Sequence, residues 1–329
     1  MNPLDRKSFI RTLGMMGAGT MLTGNTAKGM ASTNEQIRPT AKTDPPGNSS
    51  SKRVLRVAHL TDIHVKADKI SEYGMAAALH TVNNMEDKPD LIINGGDAVM
   101  DAGLLNKSVM KEQWSAFHRI LKNENSLPVY HCIGNHDVFG WMLPSPNHTE
   151  SKQWAKDEYL LTSSYYSFTV NGWKMIVLDS IHGRKSVPGY FGKLDDEQMV
   201  WLKNELKNTA PDTHICIVSH IPVLAICCLF DNDITSTGRL KISENNMHYD
   251  SNELVQMFYA NQNVKACLSG HIHLIDYVNY LGTEYFCNGA VAGDWWKGRH
   301  QQFDPALCMM NFFEDGTVTR EVNYYKWQG

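Results

Sequence analysis

Hydrophobic residues along this chain fall into short continuous runs that alternate with helical stripes, and run after run stops at a cluster of Asp, Asn or His. The run Val54 to Leu60 predicts a buried strand ending at Thr61-Asp62. Glu72 to Met85 reads as a helix, and Asp90 to Asn94 as a second strand closed by Gly95-Gly96-Asp97. Met110, Trp114, Phe117 and Leu121 recur at i, i+4, i+7 and i+11, the apolar face of an amphipathic helix. Pro128 to Ile133 predicts a third strand, which runs into Gly134-Asn135-His136-Asp137. Tyr165 to Val170 and Trp173 to Leu178 flank Asn171-Gly172, a pair that favours a tight hairpin because both turn positions need positive φ. A helix over about Asp195 to Lys207 precedes a strand over His214 to Ser219, which ends at His220. A helix around Ser251 to Ala260 then leads to a strand over Val264 to Ser269, ending at Gly270-His271-Ile272-His273. The C-terminal third is mostly β, with a hairpin turning at Glu314-Asp315-Gly316.

This alternation predicts a layered α/β fold, in which ligands sit beyond the carboxyl ends of strands. Five strand ends carry metal-ligand chemistry. Asp62-x-His64 and His271-x-His273 each place two ligand-type side chains two residues apart, which along a strand is one face. Asp97 follows two glycines that let the backbone turn sharply into a crowded centre. Its carboxylate has two oxygens and can bridge two cations about 3.5–4 Å apart. Asn135 and His220 fill the remaining positions. Imidazole, carboxylate and one amide together suit Mn, Fe or Zn rather than Ca or Mg, which prefer all-oxygen shells. Any one cluster is weak, since His-x-His arises by chance and Gly134–Asp137 doubles as a turn. Five in order, each after a buried strand, are specific.

The series Asp62-Ile63-His64, Gly96-Asp97, Gly134-Asn135-His136-Asp137, Ser219-His220 and Gly270-His271-Ile272-His273 resembles the calcineurin-like metallophosphoesterase family over residues 56 to 273. The resemblance implies a four-layer α/β sandwich, with two central mixed sheets flanked by helices. It also implies two divalent or trivalent metal ions: Asp62, His64, Asp97 and His273 on the first, and Asp97, Asn135, His220 and His271 on the second. His136 would face the phosphate and help stabilise or protonate the leaving oxygen. Asp137 either orients His136 or only forms the turn. In this chemistry a metal-bridging hydroxide is the nucleophile. After Asp97 the chain reads Ala98-Val99-Met100-Asp101, without the Arg of protein Ser/Thr phosphatases or the metal-binding Tyr of purple acid phosphatases. The resemblance is therefore nearer the bacterial phosphodiesterases, and the expected substrate is a small-molecule phosphoester. A phosphomonoesterase for phosphate scavenging stands as the alternative, as does, in a different class, a non-catalytic metal-binding protein of the same fold.

The start of the chain has another texture. Arg6, Lys7 and Arg11 precede a short, mildly apolar Leu13 to Leu22 stretch, and Gly29-Met30-Ala31 supplies a small-residue cleavage site. Residues 1–31 are expected to be an export signal, leading to the periplasm or the exterior. Asp5-Arg6-Lys7-Ser8-Phe9-Ile10 resembles a twin-arginine signal with Lys in place of the second Arg. The stretch is too short for a stable membrane span. Residues 32–52, rich in Ser, Thr, Pro, Asn and Lys, read as a flexible linker, and 53–329 as the catalytic domain. The formal charge is −4; residues 1–31 carry four cations and one anion, so their removal takes it to −7. No nucleic acid is expected as a partner, because such binders normally carry a basic face. Seven Cys without CxxC spacing give no thiolate metal site, and Cys132, Cys216 and Cys267 read as small buried hydrophobes.

Three loops are singled out for a role at the site. They are 141–150 with Trp141 and His148, the polar 231–250, and 293–300 with Trp295, Trp296, Arg299 and His300. The last is read as core packing with solvated charges or as an aromatic surface for substrate. His59, His131 and His214, inside strand runs, are read as core or strand-edge residues.

Overall fold

A computed structural model of the chain describes residues 50–100, 106–143, 148–184, 187–230, 238 and 241–327. The expected signal over 1–31 and nearly all of the linker lie outside these residues. β1 (Arg53–Leu60) starts the fold. Its odd positions Leu55 and Val57 face one core and its even positions Ala58 and Leu60 another, so the strand is apolar on both faces. That is the signature of a strand buried between layers.

β2 (Leu91–Asn94) and β3 (Val129–His131) pair parallel to β1, while β12 (Ala306–Phe313) and β13 (Val318–Tyr324) add antiparallel strands, in the order β13-β12-β1-β2-β3. The second sheet has the order β10-β11-β9-β8-β5-β4. It is built from β4 (Tyr166–Val170), β5 (Trp173–Val177), β8 (His214–Val218), β9 (Val264–Ser269), β10 (Ile275–Tyr280) and β11 (Thr283–Asn288). It is parallel at its centre and antiparallel at both edges. The two sheets face each other across a core of Leu55, Val57, Ile93, Trp173, Val218, Leu268, Phe286 and Phe312. The helices α1 (Lys69–Asn83) and α2 (Lys107–Glu124) cover the outer face of the first sheet. The helices α4 (Asp196–Asn208) and α5 (Ser251–Ala260) cover the second. This is the four-layer arrangement that the resemblance implies.

Most element ends follow local chemistry. Asn171 and Gly172 take φ of +46° and +84°, as the β4–β5 turn requires. The helix expected from Glu72 begins earlier, at Lys69, because the Asp68 side chain caps it by accepting the Ser71 N–H. Three elements escape the hydrophobic pattern: α3 (His148–Glu158) and the two strands of a small hairpin, β6 (Ile181–Gly183) and β7 (Tyr190–Gly192). The sequence of α3 is almost wholly polar, so it carries little periodicity to read. All seven cysteines are buried and free, as small hydrophobes are. No described helix is long and apolar enough to cross a membrane.

Candidate metal centre

The candidate ligands converge where β1, β2, β3, β8 and β9 end. Asp62 and His64 do not lie on β1, which stops at Leu60, nor His271 and His273 on β9, which stops at Ser269. The strand-face argument for the two x-separated pairs is thus corrected. All four residues take left-handed backbone, φ +56° and +48° for the first pair and +70° and +59° for the second, as does Asp97 at +55°. Non-glycine residues seldom adopt this region, and such strain clusters at functional sites. Hydrogen bonds hold it: Asp62 N–H donates to Gly96 O at 3.0 Å and His64 N–H to Asp97 O at 2.9 Å. Glycine is needed where the loops touch. A Cβ on Gly134 would collide with the Asp97 carboxylate, and one on Gly270 with Asp62.

Asp62, His64 and His273 offer ligand atoms within 4.8 Å of one another, and so do Asp97, His220 and His271. His64, Asp97 and His136 form a third such group, which joins the other two. His273 Nε2 lies 3.3 Å from Asp62 Oδ1, and His220 Nε2 lies 3.1 Å from Asp97 Oδ2 and 3.2 Å from Asn135 Oδ1. All of the seven candidate ligands are buried except His271, which is partly exposed.

The histidines are oriented as ligands should be. In each, one ring nitrogen meets a backbone carbonyl: His220 Nδ1 with Gly95 O at 2.9 Å, His273 Nδ1 with Gly293 O at 2.6 Å, His271 Nε2 with Asn245 O at 2.8 Å, and more loosely His64 Nδ1 with Met100 O at 3.4 Å. A carbonyl only accepts, so that nitrogen carries a proton and the other ring nitrogen is the one turned to the centre. Inward ring nitrogens and two buried carboxylates pointed at each other fit cations between them. Electrostatics agree. Burial alone would lower the His220 imidazolium, but Asp97 and Asp62 push it up to about 10, a measure of how strongly the carboxylates call for positive charge. Burial lowers His64 to about 4 and His271 to about 3, keeping both neutral.

His136 sits at the edge, half-buried, its ring 4.6 Å from that of His64. Its N–H donates to Asp97 Oδ1 at 2.7 Å and its Nδ1 to Met100 O at 2.5 Å. Met100 O, not Asp137, therefore orients it. The Asp137 carboxylate instead accepts the backbone N–H groups of Gly134, Ala98 and Asp97 at 2.8, 2.9 and 3.0 Å, and the Tyr159 hydroxyl at 2.9 Å. Asp137 is fully buried, and its contacts hold the Asp97 loop rather than the His136 ring. Burial and the Asp97 charge push its carboxyl up to about 7, against those donors.

The singled-out loops divide. Trp296 is core: it is buried, its indole N–H donates to His64 O at 2.9 Å, and its ring fills the space a Gly74 Cβ would take. Trp295 walls the centre, its ring 4.5 Å from that of His273 and 6.0 Å from that of His64. Arg299 is turned to Asp304, and His300 Nδ1 lies 3.1 Å from Asp294. Trp141 packs edge-on against Tyr190, which in turn faces His271 at 6.1 Å; the His148 side chain is outside the description. Of loop 231–250, residues 231–237, 239 and 240 are outside it too, but 241–250 reach the centre through Asn245. His59, His131 and His214 are core or strand-edge residues: His59 Nδ1 meets Asn288 at 2.8 Å, His131 stacks on Tyr159 at 4.4 Å, and His214 Nε2 meets Glu314 O at 3.1 Å. Four contributors gave no readable signal: Thr61, whose hydroxyl donates to Asp62 at 2.6 Å, Tyr159, Asn245 and the Met100 carbonyl. All four bind through groups that any residue, or any hydroxyl residue, supplies.

Comparison with known proteins bears on what such a centre does. A relative from Arcobacter nitrofigilis named "Probable glycerophosphodiester phosphodiesterase GpdQ" is 25% identical over 227 residues, 67% of this chain and 72% of its own. The 3',5'-cyclic adenosine monophosphate phosphodiesterase CpdA of Haemophilus influenzae is 25% identical over 268 residues, 79% of each chain. Among solved structures, a dimetal phosphatase from Danio rerio superposes with a TM-score of 0.57, covering 84% of this chain and 100% of its own; at 13% identity it bears on the fold alone. The family profile described as calcineurin-like phosphoesterase matches residues 55–274, a span that contains all seven candidate ligands and His136. With that match covering two thirds of its length, the chain belongs to the calcineurin-like phosphoesterase family, whose members depend on two metal ions, and is a phosphoester hydrolase.

Proposed function

We propose that the protein hydrolyses small-molecule phosphodiesters, with Asp62, His64, Asp97 and His273 holding one metal ion and Asp97, Asn135, His220 and His271 the other. The observation that carries this reading is the set of four histidines whose outward nitrogens are committed to backbone carbonyls while their inward nitrogens converge on two buried carboxylates. When bound, the pair supplies Lewis acidity and a water of lowered pKa. Mn, Fe or Zn suits these donors.

The chain's own residues do the rest. Asp137 and the backbone bonds of the Asp97 loop hold the shared carboxylate before substrate arrives, so no reorganisation is needed during reaction. His136, its Nδ1 proton directed to Met100 O, presents Nε2 to the leaving oxygen, where a proton can be delivered. Trp295 shields the His273 side of the centre from water. A preference for diesters is supported by the names of the two relatives above, a probable glycerophosphodiester phosphodiesterase and a cyclic adenosine monophosphate phosphodiesterase. Residues 1–31 serve, in this reading, as an export signal and 32–52 as a linker, placing the enzyme in the periplasm or outside the cell.

The test is hydrolysis of a matched aryl diester and monoester by metal-stripped protein titrated with Mn, Fe, Zn or Mg, with Asp97→Asn as control. Metal-dependent turnover that favours the diester and is lost in Asp97→Asn supports the proposal. A monoester preference would replace the diester assignment with a phosphomonoesterase, and two bound metals without turnover of either would leave narrow substrate selectivity or a binding role.

A further inference from the structure

Beside the centre lies a second constellation of reactive side chains. Ser219 Oγ lies 3.0 Å from His248 Nε2, and His248 Nδ1 lies 2.9 Å from Asp250 Oδ1. The order Ser, His, Asp matches that of a nucleophilic triad. A nucleophilic role fails on two counts: Ser219 and His248 are each 2% exposed, and the Ser219 hydroxyl donates to Ile221 O at 2.7 Å. What the cluster does is fasten one segment of chain. Asp250 Oδ2 accepts the Leu194 N–H at 2.9 Å, and His248 N–H donates to Pro222 O at 2.9 Å. Glu244 O and the Tyr249 N–H both bind the backbone of Gly192. Residues 244–250 are thereby pinned to the ends of β7 and β8. Three residues before His248, the carbonyl of Asn245 meets His271 Nε2 at 2.8 Å.

We infer that Ser219, His248 and Asp250 form a clamp whose task is to hold the Asn245 carbonyl against His271, setting the tautomer that lets His271 bind the second metal ion. The inference rests on the ligand assignment above. His271 is the one candidate ligand whose orienting carbonyl comes from a long polar segment; for His220, His273 and His64 the carbonyls belong to Gly95, Gly293 and Met100. Affinity for the second ion is therefore tied to how that segment is seated. The clamp residues are positioning residues and touch neither ion nor substrate.

The full chain, stripped of metal and titrated with Mn²⁺, tests this through metals bound per chain and the spin-coupling signature of a manganese pair. His248→Ala is expected to weaken the second Mn²⁺ by about 10–100-fold, the scale for loss of an outer-shell partner, with the first unchanged. The coupled spectrum then gives way to that of a single ion. His248→Gln, which can still reach Ser219, restores part of the loss. If His248→Ala fails to fold, Asp250→Asn, which keeps the volume, is read by the same criterion. Equal weakening of both ions, or no weakening of either, would overturn the clamp. Wild-type protein that binds fewer than two Mn²⁺ would instead overturn the ligand assignment on which it stands.

Discussion

The Nε2 atoms of His64 and His273 stand 3.0 Å apart, brought together from positions 209 residues distant in the chain. Both rings turn Nδ1 to backbone carbonyls, so the two Nε2 atoms face each other and the Asp62 carboxylate. A positive charge is needed between them, and the Asp62 carboxylate draws it there, as a proton on His273, where burial opposes it but Asp62 raises the pKa, or as a metal ion. The geometry makes metal removal a structural perturbation as well as a catalytic one.

Chelation should accordingly lower the unfolding temperature. A ligand held at about 100 times its dissociation constant stabilises by about 2.7 kcal/mol per site. Thermal unfolding with and without chelator, followed by Mn, Fe or Zn addition, should show a loss of several degrees that reverses on reloading. An unfolding temperature indifferent to chelator would contradict the buried two-ion site.

His136→Ala is expected to lower kcat by about 10²–10⁴-fold with alkyl leaving groups, because those need a proton. With a good aryl leaving group the loss should be much smaller. Its thermal stability should stay near wild type, since the ring is half-buried at the rim. An equal loss on both substrate types would remove the proton-donor role.

Asp137→Ala should behave in the opposite way. It strips acceptors from three backbone N–H groups in the interior, each costing about 1–3 kcal/mol when unsatisfied. A destabilisation of about 3 kcal/mol or more, measured by denaturant unfolding in the presence of chelator, is expected without any metal involved. Wild-type stability together with lost turnover would return Asp137 to a direct catalytic role.

Trp295 gives a specificity prediction. Replacing it by Ala should lower kcat/KM for diesters with bulky substituents by about fivefold, the scale of one aromatic contact worth about 1 kcal/mol. Monoester turnover should change less, and Trp295→Phe should recover most of the diester loss. Uniform loss across substrates would mean that Trp295 only packs His273.

Acid should loosen the clamp from the Asp250 end. Burial raises its carboxyl, but hydrogen bonds from His248 and the Leu194 N–H outweigh this and hold it below its ordinary 3.8. A carboxyl with a depressed folded value stabilises fully above its unfolded value, and that contribution is lost as pH falls through the folded one. The gap in unfolding temperature between wild type and Asp250→Asn should be constant above about pH 5 and close below about pH 4. A gap that widens in acid would reverse the sign and exclude the assignment.

Much of this was already legible in the linear chain. Continuous apolar runs predicted central strands because both their faces are covered, as Leu55 and Val57 on one side of β1 and Ala58 and Leu60 on the other bear out. The order of Asp, Asn and His clusters after those runs marked out the candidate ligands, since strand ends are where a layered fold exposes polar groups. Only the tertiary structure decided how they meet. The x-separated pairs share a centre through left-handed backbone at Asp62, His64, His271 and His273, a choice fixed by neighbouring loops and invisible to a period-two pattern. Asp137 turns away from His136 because the Asp97 loop, 40 positions earlier, presents unsatisfied N–H groups to it. Asn245 and Met100 act through carbonyls, which every residue has, so no residue type marks them. Side-chain chemistry is written along the sequence; backbone groups gain meaning only when the fold brings a partner to them.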